Sequence, residues 1–147
     1  MTNAVTREIK INAPPEVVFD YFVDPTKSVR WHATRADLDP RPGGTYVLAV
    51  TPGSVVLGEF VEVDPPRRVV FTWGWQGSEQ IPPGSTTVDV TLEADGDYTL
   101  VRVTHRDLPT DEARAQHAMG WEHYLSRLAV AAPGGDAGPD PWASKRS

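Results

Sequence analysis

Two histidines and a tryptophan occupy positions from which they could take part in chemistry. His105 lies on the inward face of the last predicted strand, close to its end, where it could act as a polar anchor or a general base. The alternative is a hydrogen-bonded histidine that locks this strand to the following loop. His117 and Trp121 are four residues apart on a predicted helix, so they share one helix face.

Three histidines could in principle converge as a zinc site, because zinc enzymes use three-histidine sets. They would be His32, His105 and His117. The chain has no His-x-x-x-His pair, since His117 and His123 are six residues apart, and it has no cysteine ligand. We therefore predict no metal site and no cofactor.

Aromatic side chains give the clearest indication of a binding pocket. Trp73, Trp75 and Trp121 could form flat apolar walls, which suit planar or apolar ligands. The alternative is that such rings fill the core, and some of them must do so. Trp73 and Trp121 would provide stacking area, and His105 or His117 would orient a polar group. The residues predicted to line the pocket are Trp31, Tyr46, Phe60, Phe71, Trp73, Trp75, His105, His117 and Trp121.

Motifs for other chemistries are missing from the sequence. Gly43-Gly44 precedes a predicted strand and lacks the Lys-Ser/Thr pair of a phosphate loop, so it predicts a turn. Ser54, Ser78 and Ser85 have no Gly-x-Ser-x-Gly context. Nucleophilic hydrolysis therefore has no support in the sequence.

The first elements that must position these side chains are a strand and two short helical pieces. Alternation of apolar and polar residues predicts a half-buried strand over Val5–Ile11. The Pro14-Pro15 pair suits the first turn of a helix of about two turns, and Pro25 ends it. Thr26–Trp31 could form another helical turn.

Five further strands are predicted after a loop at Asp37–Gly44, which is rich in Pro, Gly and Asp. Short turns separate them, and short turns between successive strands indicate an antiparallel meander. The predicted strands are Thr45–Val50, Val55–Val63, Arg68–Trp75, Ser85–Glu93 and Tyr98–Arg106.

One long helix over Ala113–Ala132 would cover the buried face of this sheet. Thr110 is the predicted N-cap, and apolar residues then recur at spacings of three and four. About 20 helical residues would extend about 30 Å, enough to cross the sheet. We therefore predict an α+β fold: a curved antiparallel sheet of about six strands wraps around a long C-terminal helix, with two short helices after the first strand. The predicted domain spans residues 1–132, and residues 133–147, with Trp142, are predicted to be a flexible tail.

Composition excludes some partners. The chain carries 20 acidic and 14 basic residues, a formal net charge of −6, and no basic stripe of the kind that binds nucleic acid. It has neither a signal-peptide-like segment nor an apolar run long enough to insert into a membrane. With no cysteine, it fits a reducing compartment. We therefore expect a cytoplasmic protein that binds neither nucleic acid nor membrane, and the residue usage is typical of a bacterial source.

Several short motifs, in their order and spacing, resemble those of a known family. They are Pro14-Pro15-Glu16-Val17-Val18-Phe19, Trp31, Gly43-Gly44-Thr45-Tyr46, Gly58-Glu59-Phe60, Asp64-Pro65-Pro66-Arg67, Phe71-Thr72-Trp73, Thr104-His105 and Gly120-Trp121. From about Val5 to Ala132 the chain resembles the activator of heat-shock ATPase homologue-like family, within the START-like (SRPBCC) helix-grip superfamily. The resemblance implies a helix-grip fold with a hydrophobic cavity. The family often has paired tryptophans where this chain has Trp31-His32.

The leading functional prediction is binding of a small hydrophobic, lipid-like or aromatic molecule between the sheet and the C-terminal helix. One alternative is an enzyme of cyclase, dehydratase or hydrolase type on the same scaffold. Another, suggested by the family resemblance, is an interaction protein that regulates a chaperone ATPase. The chain could also form a homodimer.

Overall fold

The computed structural model describes residues 4–141, which form seven strands and three helices. The strands are Val5–Ile11 (β1), Arg35–Leu38 (β2), Thr45–Thr51 (β3), Ser54–Asp64 (β4), Arg68–Trp73 (β5), Thr86–Asp95 (β6) and Tyr98–Arg106 (β7). The helices are Pro15–Val23 (α1), Pro25–Ser28 (α2) and Asp111–Ala131 (α3).

All the described strands belong to one antiparallel sheet, in the order β1-β7-β6-β5-β4-β3-β2. From β2 to β7 each strand pairs with the next one in the chain, because the connections bring the chain back alongside itself. β1 pairs with β7, with Val5 opposite His105 and Ile11 opposite Thr99. The first and last strands are therefore neighbours, and β1 and β2 form the two edges.

The sheet is bent in its central strands. The pairing register shifts just before Thr51 in β3 and just after Phe60 in β4. Such bulges bend a strand and increase its twist. Between them, a Cβ atom on Gly58 would lie 2.0 Å from the carbonyl oxygen of Thr72, so β4 can approach β5 only with glycine at this position.

Helix α3 fills the concave side of the bent sheet. The Thr110 hydroxyl accepts a hydrogen bond of 3.0 Å from the Ala113 amide and caps the helix. Fully burying a large apolar side chain contributes roughly 1.5–3 kcal/mol, so the buried face of α3 holds the helix on the sheet. Its large buried residues are Trp121, Tyr124, Leu125 and Leu128.

The helix-grip prediction is confirmed, with one strand more than expected. Strand β2, Arg35–Leu38, overlaps the predicted loop Asp37–Gly44. It has only four residues, lies at the sheet edge, and precedes Pro40 and Pro42. A run this short carries little periodicity, and its pairing with β3, which defines the strand, is a tertiary contact.

Beyond α3, the described chain turns back against the helix. The Arg127 guanidinium donates hydrogen bonds to the carbonyl oxygens of Trp31 (3.0 Å), Ala137 (3.3 Å) and Gly138 (2.9 Å). One cation therefore holds residues 137–138 beside the loop that follows α2.

Asp140 makes the next contacts of this segment. Its carboxylate accepts a hydrogen bond of 2.7 Å from the Tyr124 hydroxyl and lies 2.9 Å from Nε2 of His123. The domain end at residue 132 and the flexibility of the tail stay predictions. Trp142 lies outside the described residues.

The face of the sheet turned away from α3 is polar. There, Asp89 pairs with Arg68 at 2.7 Å and with Arg106 at 3.3 Å. Within residues 4–141 no helix has the combination of length and apolar character that crossing a membrane requires.

Candidate functional site

A cavity of about 250 Å³ lies between the middle of α3 and the ends of β3, β4 and β5. Its lining residues are His32, Val50, Thr51, Ser54, Trp73, Trp75, Gln116, His117, Gly120, Trp121 and Tyr124. Ser54, Trp75, Gln116, His117 and Gly120 keep exposed surface, whereas the others are buried. The exposed members therefore mark the mouth, between the β3–β4 turn and α3.

The spacing of residues along the chain places the side chains of each cavity wall on one side of their own element. Trp73 and Trp75 are two residues apart in an extended segment, so they point to the same side. Four residues of the opposite wall lie three or four positions apart on α3, so they share one helix face. They are His117, Gly120, Trp121 and Tyr124.

His105 lies behind this wall and is completely buried. Its Nδ1 accepts a hydrogen bond of 3.2 Å from Nε1 of Trp121, so the ring proton resides on Nε2. Nε2 then donates to the Thr86 hydroxyl at 2.8 Å, which donates to the carbonyl oxygen of Trp73 at 2.7 Å. Burial, and to a lesser degree the neighbouring His117, lowers the pKa of His105 well below its usual range. His105 is therefore a neutral linker between α3 and the sheet.

His117, at the mouth, also has both ring nitrogens engaged. Its Nδ1 donates to the carbonyl oxygen of Ala113 at 2.8 Å, and its Nε2 accepts from Nε1 of Trp75 at 3.1 Å. Burial lowers the pKa of His117, against the opposing effect of the Ala113 hydrogen bond. The ring is thus held neutral, and it fixes the orientation of Trp75.

His32 forms part of an aromatic stack on the inner wall. Its ring lies 4.6 Å from Trp31 and 5.8 Å from Trp73, centroid to centroid, with interplanar angles of 27° and 17°. Trp121 and Tyr124 contact it at 5.3 and 5.0 Å. Burial lowers the pKa of His32 to about 3, so the ring is neutral at physiological pH.

Two polar atoms of the lining residues are shielded from solvent and have no partner among residues 4–141. They are Nε1 of Trp73 and Oγ1 of Thr51. Most buried polar groups are hydrogen-bonded, and leaving one unpaired costs about 1–3 kcal/mol. Because neither atom has accessible surface, both lie within the packing of the wall and do not open onto the cavity.

No Asp, Glu, Lys or Arg is among the described residues that line this cavity. A groove of about 520 Å³ is larger, but it lies at the start of α1 and is lined in part by Glu16, Arg67, Glu93 and Arg102. An apolar pocket with a few polar groups is the usual form of a small-molecule site. The smaller, aromatic cavity is therefore the better candidate.

The family model described as "Activator of Hsp90 ATPase homolog 1-like protein" matches residues 12–132, most of the chain. The chain belongs to this family. This match confirms the resemblance inferred from the motifs. The fold of the chain is the START-like helix-grip fold.

Two solved structures share the fold of this chain. An AHSA1-like protein from Rhizobium etli is 45% identical, with a TM-score of 0.77 over 97% of this chain and 89% of that one. An HSP90 activator from Plasmodium falciparum is 25% identical, with a TM-score of 0.72 over 86% of this chain and 94% of that one.

A curated relative is considerably longer. An uncharacterized protein of Schizosaccharomyces pombe is 24% identical over 128 residues, which is 84% of this chain. This chain spans 35% of the length of that relative.

The structure brings four of the nine predicted site residues to the cavity surface: Trp73, Trp75, His117 and Trp121. Trp31 borders a neighbouring cavity of about 380 Å³ that shares His32. His105 lies behind the wall. Tyr46, Phe60 and Phe71 pack together in the adjacent core, as the stacking of Tyr46 on Phe71 at 4.0 Å illustrates. Whether any of the nine contacts a ligand stays a prediction.

Sequence reasoning missed seven lining residues: His32, Val50, Thr51, Ser54, Gln116, Gly120 and Tyr124. The helical spacing from His117 could have identified Gly120 and Tyr124, which lie three and seven residues further on. Nothing local pointed to His32, because its position depends on rings from two other elements, β5 and α3.

The three histidines considered for zinc do not form a ligand set. Within residues 4–141 no group of three or more His, Asp or Glu side chains could hold a metal ion. The hydrogen bonds of His105 and His117 occupy the ring nitrogens that a metal would need.

Proposed function

We propose that this protein binds a small apolar or aromatic molecule in the cavity between α3 and the sheet. The observation that carries the proposal is the cavity itself: its walls are aromatic, and none of its described lining residues is an Asp, Glu, Lys or Arg. Aromatic rings give a flat ligand a large contact area.

The volume limits the ligand to a small molecule. A cavity of about 150 Å³ is enough to hold benzene. At about 250 Å³ this cavity suits a compact system of one or two rings. The partly exposed mouth residues give such a molecule a route of entry.

The geometry favours binding over catalysis. A general base works best with a pKa near the operating pH, and burial lowers the pKa of His32 to about 3. His105 and His117 have their nitrogens engaged within the protein. Tyr46 packs in the core, where burial raises its pKa well above the usual value. These three histidines and Tyr46 therefore do not provide a placed acid or base for a cyclase, dehydratase or hydrolase reaction.

Gly120 offers a direct test. It lies on the helix face that borders the cavity, and a Cβ built on it meets no other atom within 4 Å. Gly120→Leu should fill the mouth and abolish binding of indane, an apolar two-ring probe. Gly120→Ala, the matched control, adds one methyl group and should retain binding while raising stability by about 0.5–1 kcal/mol, because glycine disfavours helix interiors.

Binding would be followed by the indole resonances of the tryptophans in ¹⁵N–¹H spectra, and native mass spectrometry of the purified protein would identify any co-purified molecule. Retention of indane by Gly120→Leu would place its site elsewhere. If indane moves no resonance of the wild-type protein, the ligand-binding proposal is wrong.

A second candidate is regulation of a chaperone ATPase. The family description and the Plasmodium falciparum relative, called an HSP90 activator, support it. A rise in the ATPase rate of purified Hsp90 on adding this protein would be the expected result, and an unchanged rate would count against it. We infer a cytoplasmic location from the lack of cysteine. A homodimer remains a prediction that sedimentation equilibrium would test.

A further inference from the structure

His32 combines deep burial with unused hydrogen-bonding groups. It is 5% exposed, and its ring nitrogens make no hydrogen bond within residues 4–141. In this part of the chain, the buried side-chain atoms that lack both a partner and accessible surface are Trp73 Nε1 and Thr51 Oγ1. The His32 nitrogens are not among them, so both nitrogens keep accessible surface. Polar groups of this kind orient a ligand in an otherwise apolar pocket.

The remaining surface of His32 faces two adjoining cavities. Its side chain lines the aromatic cavity of about 250 Å³ and the neighbouring cavity of about 380 Å³. Its ring is stacked on Trp31 and Trp73, at centroid distances of 4.6 and 5.8 Å. Stacking uses the faces of an imidazole ring, whereas its nitrogens form hydrogen bonds in the ring plane. The stack therefore fixes the position of the ring without occupying its nitrogens.

The other polar side chains of the aromatic cavity are less suited to anchor a ligand. Ser54 and Gln116 keep exposed surface at the mouth, where water competes for the same hydrogen bonds. Four further side chains already form hydrogen bonds within the protein: Trp75, His117, Trp121 and Tyr124. Among the described lining residues, His32 therefore supplies the hydrogen-bonding groups of the inner wall that a ligand can reach.

The charges near His32 favour an uncharged ligand. Burial lowers the pKa of His32 to about 3, against the opposing effect of the Asp140 carboxylate, so the ring itself is neutral. Arg127 and Asp140 line the neighbouring cavity, and both are engaged in hydrogen bonds with other parts of the chain. A charged molecule beside His32 would lose its hydration without gaining a free counter-ion.

We propose that the ligand is an uncharged, flat molecule carrying a hydroxyl group, such as a phenol-like compound, and that the imidazole of His32 is its polar anchor. A neutral imidazole has one N–H donor and one acceptor nitrogen. A hydroxyl can both donate and accept, so it can pair with either nitrogen, whereas a carbonyl oxygen can only accept. This inference rests on the proposed binding function and adds the chemical class and the anchoring residue.

Three probes with one ring skeleton separate these features. Indane is apolar, indanol with its hydroxyl on the aromatic ring adds an uncharged donor and acceptor, and indane carboxylate adds a negative charge at neutral pH. In long-range ¹H–¹⁵N spectra of the wild-type protein, indanol should shift a ring-nitrogen resonance of His32, whereas indane should leave both nearly unchanged. Indane carboxylate should bind at least about tenfold more weakly than indanol.

Variants then assign the hydrogen bond to its residue. His32→Phe keeps a stacked ring and removes both nitrogens, so it should lower the ratio of the Kd of indane to that of indanol about threefold to tenfold, the effect of one hydrogen bond. His123→Phe is the matched control. It makes the same substitution at a histidine outside the described lining of both cavities, so the ratio should stay the same.

The outcomes distinguish this inference from the function on which it rests. If indane and indanol bind but His32→Phe leaves their ratio unchanged, or His123→Phe lowers it equally, His32 is not the anchor and ligand binding stands. Tighter binding of indane carboxylate than of indanol overturns the uncharged ligand class. If no probe binds, the proposed function fails as well. The His32 resonances of the wild-type protein decide the question even if His32→Phe does not fold, since an unmoved pair of nitrogens overturns the anchor.

Discussion

At the scale of single residues, His105 and His32 differ in their hydrogen bonding. Both are buried and neutral, but His105 has both nitrogens bonded, to Trp121 and Thr86. His32 is held by ring stacking, and no side-chain hydrogen bond of its ring occurs within the described residues. The first histidine therefore fixes the position of Trp121 in the cavity wall, and the second forms part of the wall surface.

His105→Leu should be strongly destabilising. It leaves the indole N–H of Trp121 buried without an acceptor and removes the donor to Thr86, at a cost of about 2–4 kcal/mol in the free energy of unfolding. Urea unfolding would measure it. Thr86→Val removes the hydroxyl that links His105 to the Trp73 carbonyl, and it should lower the free energy of unfolding by about 1–2 kcal/mol. A His105→Leu protein of normal stability that no longer binds indane would instead indicate direct ligand contact.

At the scale of elements, the bent strands and α3 form the cavity, and the segment after α3 borders the neighbouring cavity that shares His32. Arg127 of α3 connects the helix to the loop after α2 and to residues 137–138. Tyr124 borders the cavity and also donates to Asp140. The position of the segment is therefore coupled to a residue of the cavity wall.

Arg127→Met should release this segment. Methionine keeps much of the apolar stem but none of the three hydrogen bonds, so the ¹⁵N heteronuclear NOE of residues 136–138 should fall towards the values of a mobile chain. Arg114→Met is a suitable control, because its guanidinium donates to Leu108 at the other end of α3. Unchanged NOE values in Arg127→Met would mean that Asp140 alone holds the segment.

At the scale of the whole molecule, two buried histidines and the partly buried His117 make stability depend on pH. Burial lowers the pKa of His32 to about 3, and it also lowers the pKa values of His105 and His117. In the unfolded chain each would titrate near 6.5. Below that pH the unfolded state binds protons that the folded state does not, so acid favours unfolding.

Stability should therefore be nearly constant above about pH 7 and fall as the pH drops through about 6.5. The unfolded histidine is half protonated at pH 6.5, so each of the three removes up to about 1 kcal/mol between about pH 6.5 and 5.5, and together they remove up to about 3 kcal/mol. Urea unfolding across this range would show it. His32→Phe keeps a stacked ring without a titrating group and should reduce the slope by about one third. A flat profile would mean that these histidines are protonated in the folded state.

The sequence alone determined the fold and most element boundaries. Alternating residues and turn signals located strands β1 and β3 to β7, and Thr110 marked the start of α3, because these signals are local and periodic. The same local rules placed Trp73 and Trp75 on one face, and His117 and Trp121 on another. Such patterns depend only on the backbone geometry of the segment itself.

Only the tertiary structure decided which of these residues border the cavity. Tyr46 and Phe71 have the same aromatic character as Trp73, but stacking at 4.0 Å places them in the core. His32 reaches the wall because rings from β5 and α3 surround it. The unpaired state of the Trp73 N–H depends on the position of every possible acceptor around it, and that information exists only once the distant segments are packed together.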